Sequence, residues 1–232
     1  MDKNSAENLD AAEATAVAVS QSVSAVEEAH ATGVYEAVCV GPQEHDRARY
    51  IKLRDEIADI EASNLITRLL FSSRMAMLKK EFNGIPLEKK WSDTVCNLVT
   101  TVGGNAMLDN NFSASGYTAA WYMGLISATS YTTGPNVADT MASHGGWAED
   151  VNYSNAARPT TAWSAAAAKA KSLSAGLVFN MNGSTTIKGC FLNTDATKSG
   201  ATGTLFSAGL FTGGDQPVVN GNTLTVTYTA SV

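Results

Sequence analysis

From Thr100 to Val232 only 11 of 133 residues are Asp, Glu, Lys or Arg, while the first 99 residues hold the other 27 charges. Gly, Asn and Pro punctuate the same charge-poor stretch at short intervals, so it can form only brief elements joined by turns. A polar, almost uncharged surface of Thr, Ser, Gly and Ala suits a protein packed among copies or partners better than a freely diffusing metabolic enzyme.

The runs between the turns have strand character. Thr94–Val102 and Ala119–Ile126 are rich in β-branched and aromatic residues. Leu173, Ala175, Leu177, Phe179 and Met181 alternate with small or polar residues, and Asn182-Gly183 leads directly into Thr185–Leu192, a pattern that predicts a type I′ hairpin. Leu205–Phe211 is a further strand, turned by Gly213-Gly214. After Asn220-Gly221, Leu224, Val226 and Tyr228 alternate with threonines. About seven or eight short strands of this kind predict a mainly β fold, an antiparallel β-sandwich or barrel.

The N-terminal part differs in period. Residues 1–33 form an acidic arm dominated by small residues, with one Lys and no aromatic side chain; too little apolar area is present to offset the entropy of ordering it alone. Its Ala-rich segment, Ala11–Ala25, is suited to becoming helical against a partner. Residues 34–43 open the β domain with the strand Val34–Val40, stopped by Gly41-Pro42, and the domain resumes over 91–232. Between them, residues 44–90 read as a helical insertion. Tyr50, Leu53, Ile57 and Ile60 recur at 3/4 spacing with charges between them, the pattern of an amphipathic helix. Asn64 continues this stripe in a core-type position, the apolar set then shifts to Leu65, Ile66, Leu69, Leu70, Met77 and Leu78, and a bend or second helix is expected near Ser63. Asn83-Gly84 and Pro86 close the segment. Strands 34–40 and 94–102 are expected in one sheet, with the helices folded back between them. A small sandwich has its own core, so the stripe of Tyr50, Leu53, Ile57 and Ile60 is surplus and is expected to be an interface with another chain.

Little in the chain points to chemistry. His144, in Ser143-His-Gly-Gly-Trp147-Ala-Glu-Asp150, is the one histidine outside the arm and the helix start, and no second His or Cys accompanies it at metal-ligand spacing. Glu149-Asp150 is the best acidic pair, but paired-carboxylate catalysis needs two groups placed across a cleft. No nucleophile elbow, phosphate loop, dinucleotide fingerprint or H-E-x-x-H pair is present. No catalytic, metal or cofactor-binding residue is therefore assigned, and no cofactor is expected. Cys39, Cys96 and Cys190 are odd in number, far apart and set in apolar runs, which reads as buried thiols. A net charge of -6 argues against a nucleic-acid partner. No run is apolar enough for a membrane span, and Met1–Asp10 lacks the pattern of a signal peptide, so synthesis in a cytoplasm is expected. Trp91, Trp121, Trp147 and Trp163, with Tyr117, Tyr122, Tyr131 and Tyr153, could form a sugar-stacking platform or serve as ordinary sandwich filling.

Asn97–Gly103, Tyr117–Leu125, Ala138–Trp147, Arg158–Thr160 and Gly203–Asp215 resemble, in that order, a family of small tailed-bacteriophage virion structural proteins described as tail-fibre-like or simply structural. The resemblance covers Val34–Val40 and Trp91–Val232, and departs from the family pattern at Glu44–Lys90 and in the long arm. It implies a non-enzymatic virion component made in the host cytoplasm, with other virion proteins and copies of itself as partners. A tail-fibre-like or tail-accessory homo-oligomer anchored through arm and helices is the first expectation. A capsid decoration or cement protein is the alternative, and a carbohydrate-binding module a third.

Overall fold

The computed structural model describes residues 32–112 and 120–231. Residues 1–31, and with them the expectations for the arm, lie outside the described residues. Among the described residues the fold is mainly β, with eleven strands in two antiparallel sheets and four α-helices.

Strand β1 spans Thr32–Pro42 and buries every second residue, so Tyr35, Ala37 and Cys39 face inward while Val34, Glu36 and Val38 face out. The strand begins before Val34. Gly33 pairs with Ala230, and a Cβ at Gly33 would lie 2.2 Å from the Tyr228 hydroxyl, so only glycine fits over that ring. A single 3-10 turn, Glu44–Asp46, leads into helix α1 (Arg47–Ala62), followed by α2 (Leu65–Leu70) and α3 (Ser72–Asn83). The chain returns as β2 (Leu87–Cys96), whose first residue pairs with Pro42 at the end of β1. The helical excursion thus leaves and re-enters one sheet at neighbouring points. Strand β2 starts at Leu87, so Lys89 and Lys90 are strand residues and not the end of the insertion.

The expected strand Thr94–Val102 is divided among three elements. Thr94–Cys96 pairs with β1, Leu98–Val99 forms β3 in the other sheet, and Thr101 opens helix α4 (Thr101–Phe112). Asn97 is the crossing point, where its amide donates to Gly33 O (2.9 Å) and its side chain to the Tyr228 hydroxyl (2.9 Å). Thr100 Oγ1 accepts from Gly103 N (3.1 Å), an N-cap that turns a β-branched run into a helix start.

The remaining strands are β4 (Tyr122–Ser127), β5 (Glu149–Asp150), β6 (Ala170–Ser172), β7 (Leu177–Asn180), β8 (Thr185–Asn193), β9 (Leu205–Leu210), β10 (Gln216–Val218) and β11 (Thr223–Ser231). One sheet runs β2-β1-β11-β6 with β7 also on β11; the other runs β3-β9-β8-β4-β5 with β10 also on β8. Strands β7 and β8 consequently lie in different sheets, and the hairpin expected at Asn182-Gly183 does not form. A type I′ turn needs positive φ at both central residues, whereas neither Asn182 nor Gly183 has it. Asn182 N instead donates to Asn152 O (3.2 Å) as the chain passes between sheets.

The inner faces meet in one core. Tyr35, Cys39, Val95, Phe179, Leu224, Val226 and Tyr228 from one sheet pack against Met123, Leu125, Ile187, Cys190 and Leu192 from the other. The outer face of β4 and β8 is covered as well, where Ile126 and Phe191 pack with Met141 and Trp147 from the 128–148 segment. Gly124 leaves room for this layer, since a Cβ there would sit 2.2 Å from Phe191 Cζ. Cys39 and Cys190 are buried, and burial raises the Cys39 thiol to about 12 and pushes the Cys190 thiol up. Cys96 is exposed, in contrast to the expectation of three buried thiols, because alternation along β2 gives the inward position to Val95.

Candidate functional site

The helical excursion carries the most exposed large apolar side chains among the described residues. Its own seam comes first. Tyr50 and Leu53 of α1 are buried against Leu78 of α3 and Ile85, with Ile57, Ile60 and Phe82 packed around them. The Tyr50 and Phe82 rings stack at 4.6 Å. The expected interface stripe therefore lies in the seam between two helices of the same chain: Tyr50 and Leu53 are buried there, and Ile57 and Ile60 are half-buried. Arg49–Glu81 (2.9 Å), Arg74–Glu56 and Lys79–Glu61 (2.7 Å) flank the seam; they are solvent-exposed, and water screens them, so they add little to stability. The Lys79 ammonium beside Glu61 lowers that carboxyl from its ordinary value.

The base of the excursion is tied to the sandwich by Arg54, which donates to Met181 O (3.2 Å) and to Asn220 Oδ1 (3.2 Å), and by Tyr50 and Ile51, which lie beside Gly221. At the other end α1 stops at Ser63. Asn64 does not extend the stripe; its side chain accepts from Thr67 N (3.0 Å) and caps α2. The new helix start rotates the next apolar residues out of the seam, so that Leu65, Ile66, Leu69 and Leu70 are between 72 % and 80 % exposed. Phe71 is also exposed. Residues 62–80 contain four cations, Arg68, Arg74, Lys79 and Lys80, and no carboxylate. Arg68 and Lys80 have no carboxylate within ion-pair distance among the described residues. Burying one such leucine completely is worth about 1.5–3 kcal/mol. The tip is an apolar surface, with Arg68 and Arg74 lying beside Glu61 and Glu56 of α1.

The residues that could have carried chemistry are engaged elsewhere. His144 donates from Nδ1 to Trp147 O (2.9 Å) and lies on the Trp147 ring at 4.1 Å, away from the two acids it precedes. Asp139 accepts from Trp147 Nε1 (2.8 Å) and from Asn136 N (2.9 Å), which fixes the loop over the outer face. Asp150, buried, accepts from Ser127 Oγ (3.1 Å), Thr185 Oγ1 (2.6 Å) and Asn152 N (3.0 Å). Glu149 forms a bidentate pair with Arg158, Nε to Oε1 at 3.0 Å and Nη2 to Oε2 at 2.8 Å. Arg158 also donates to Asp195 O (2.8 Å) and Gly200 O (3.1 Å), and Ser199 N donates to Glu149 Oε2 (2.6 Å), so the pair clamps the 195–200 loop. Burial, and then the Glu149 charge, push the nearby Tyr153 phenol up. Arg158 is the buried group that residue patterning missed; no spacing in the sequence links it to Glu149. Among the described residues no cluster of three or more His, Cys, Asp or Glu side chains could hold a metal ion, and no helix is long and apolar enough to cross a membrane.

The four tryptophans do not form one platform. Trp147 is buried in the outer layer, and Trp91 donates from Nε1 to Pro217 O (2.9 Å) on the β2 face. Trp121 and Trp163 are half-buried and share the lining of one cleft. No protein-family model matches the chain, and no curated protein matches it.

Proposed function

We propose that this chain is a non-enzymatic assembly protein, a structural component of a tailed-phage particle of the tail-fibre-like or tail-accessory kind, that seats the tip of its helical excursion in a neighbouring particle protein. The observation that carries this reading is the exposed set Leu65, Ile66, Leu69 and Leu70, with Phe71 beside them, at the far end of an excursion whose own seam is already filled. An isolated apolar residue on a surface is ordinary, whereas a contiguous apolar tip is a contact site. The charge-poor, Thr-rich sandwich and the resemblance of the β-domain motifs to small tailed-phage structural proteins support the same reading. The sandwich would then be the part displayed, in company with copies of itself.

The test is incorporation. Leu69→Asp with Leu70→Asp changes two side chains that touch little of the chain's own fold, so thermal unfolding should match the parent protein while the variant is missing from purified particles. Normal incorporation of the double variant would overturn the proposal. Copy number per particle, read from a stained gel, separates the tail position (tens) from capsid decoration (hundreds).

A further inference from the structure

A cleft of about 320 Å³ opens at one end of the sandwich, between α4, the approach to β4 and the edge strand β6. Its walls are Trp121, Trp163 and Phe206, and its polar groups are Asn110 and Lys171. The volume lies at the small end of the range for small-molecule sites, about 300–1,000 Å³. We propose that this cleft binds a pyranose ring of a glycan, stacked on indole and held at its hydroxyls by Trp163 Nε1, Lys171 and Asn110.

Three observations support that chemistry. The aromatic walls are preset. Trp121 O accepts from both Thr161 N (2.8 Å) and Thr161 Oγ1 (2.9 Å), while Ala162 O and Ser164 N, on either side of Trp163, bond Ser174 N (2.8 Å) and Ser172 O (3.0 Å). The Trp121 ring stands edge-on to Phe206 at 5.2 Å and the Trp163 ring edge-on to Tyr228 at 5.9 Å. Walls held in place before binding lose little entropy when a ligand arrives. Second, the indole N–H of Trp163 has no acceptor among the described residues, unlike those of Trp91 and Trp147, which reach Pro217 O and Asp139 Oδ2. Half-buried indole N–H groups ordinarily find a partner. Third, Lys171, which lines the cleft, donates to Ser164 O (3.0 Å) and has no carboxylate within ion-pair distance among the described residues, so its remaining N–H groups are left for a ligand. An aromatic lining with donors among the same lining residues suits a sugar, whose C–H face is apolar and whose rim is all acceptors and donors. A purely aliphatic ligand would leave those donors unmatched.

This site does not depend on the assembly role, because the cleft lies on the sandwich and the tip lies on the helices. The test is a titration of the full chain with the methyl glycosides of glucose, galactose, N-acetylglucosamine and glucuronic acid, read by tryptophan fluorescence and by saturation-transfer NMR on the sugar protons. At least one should give saturable binding with transfer to one ring face. Trp163→Ala should weaken it about tenfold or more, a loss of roughly 1.4 kcal/mol. Lys171→Ala, on an exposed edge position and harmless to folding, should weaken it measurably, while Leu69→Asp should leave it unchanged. Failure of all four glycosides to bind would overturn the proposal, as would binding that Lys171→Ala and Trp163→Ala both leave intact. Saturable binding of a tryptophan-containing peptide in place of every sugar would also overturn it and give the cleft to a protein partner.

Discussion

Arg158 is 1 % exposed, and every nitrogen of its guanidinium is used, by Glu149, Asp195 O and Gly200 O, with Phe191 stacked at 5.1 Å. Removing such a group leaves its partner as an uncompensated buried charge, and the measured cost of breaking buried pairs is about 3–5 kcal/mol. Arg158→Leu should therefore lower the unfolding free energy from urea denaturation by that amount, and adding Glu149→Leu should recover much of it; a single-variant loss below about 1 kcal/mol would show that the 195–200 loop does not need the clamp. The thiols give an independent residue-scale check. A thiol reagent should modify Cys96 in the native protein and reach Cys39 and Cys190 only on unfolding, since both are buried with raised thiol pKa values. Reaction of all three at one rate in the native state would contradict the inward alternation of β1. Composition showed that these residues existed and could not show their partners. Glu149 and Arg158 lie on opposite ends of a loop with no periodicity, so the one strong ion pair of the sandwich was illegible from spacing, while the exposure of Cys96 was available from period-2 alternation beside Val95.

At the scale of elements, the alternating runs told where strands lie and not which sheet takes them. Leu177–Asn180 and Thr185–Asn193 are strands as their patterns required, yet the Asn-Gly between them joins two sheets, because turn chemistry specifies a tight reversal only when the backbone takes positive φ there. Thr94–Val102 shows the converse: a uniform β-branched run hides the crossing at Asn97 and the cap at Thr100. The 3/4 stripe identified α1 correctly, but a heptad position cannot say that Asn64 will spend its side chain on a cap and turn Leu65–Leu70 outward. One tertiary connection between elements carries a pH prediction. The turn after β9 is held to β2 by Asp93, which accepts from Thr212 Oγ1 (2.8 Å), Gly213 N (2.9 Å), Gln216 Nε2 (2.8 Å) and Thr94 N (2.7 Å). Partial burial opposes ionisation, and these bonds together outweigh it and hold the carboxyl below its ordinary value. A lowered folded-state pKa means that the stabilisation is complete above the unfolded value of about 3.9 and is lost as pH falls through the lower folded value. Amide exchange at Gly213 and Thr94 should accelerate over that acid range in the parent, whereas Asp93→Asn should show fast exchange already at neutral pH and no acid step. Equal protection in the two proteins at neutral pH would remove Asp93 from this role.

At the scale of the whole molecule, the sandwich and the helical excursion are separable by geometry. Pro42 pairs with Leu87, so the segment Gln43–Pro86 closes a loop whose ends are already one strand apart. None of its residues belongs to the main inter-sheet core. Its own apolar packing is the separate seam of Tyr50, Leu53, Leu78 and Ile85, and it meets the sandwich through the Arg54 hydrogen bonds and through Tyr50 and Ile51 beside Gly221. Replacing Gln43–Pro86 with a Gly-Asn turn should leave a protein that folds and unfolds cooperatively. Shortening the loop by more than four halvings should even favour closure by about 3 kcal/mol, offset by loss of the Arg54 bonds and of the cover over Gly221. Thermal unfolding by near-ultraviolet circular dichroism measures this directly, because the signal comes from the sandwich aromatics. A non-cooperative transition or an aggregated product would mean that β1 and β2 need the helices to find their register. A cooperative sandwich that no longer enters the particle would place attachment in the excursion, and a cooperative sandwich that still enters would place it elsewhere in the chain.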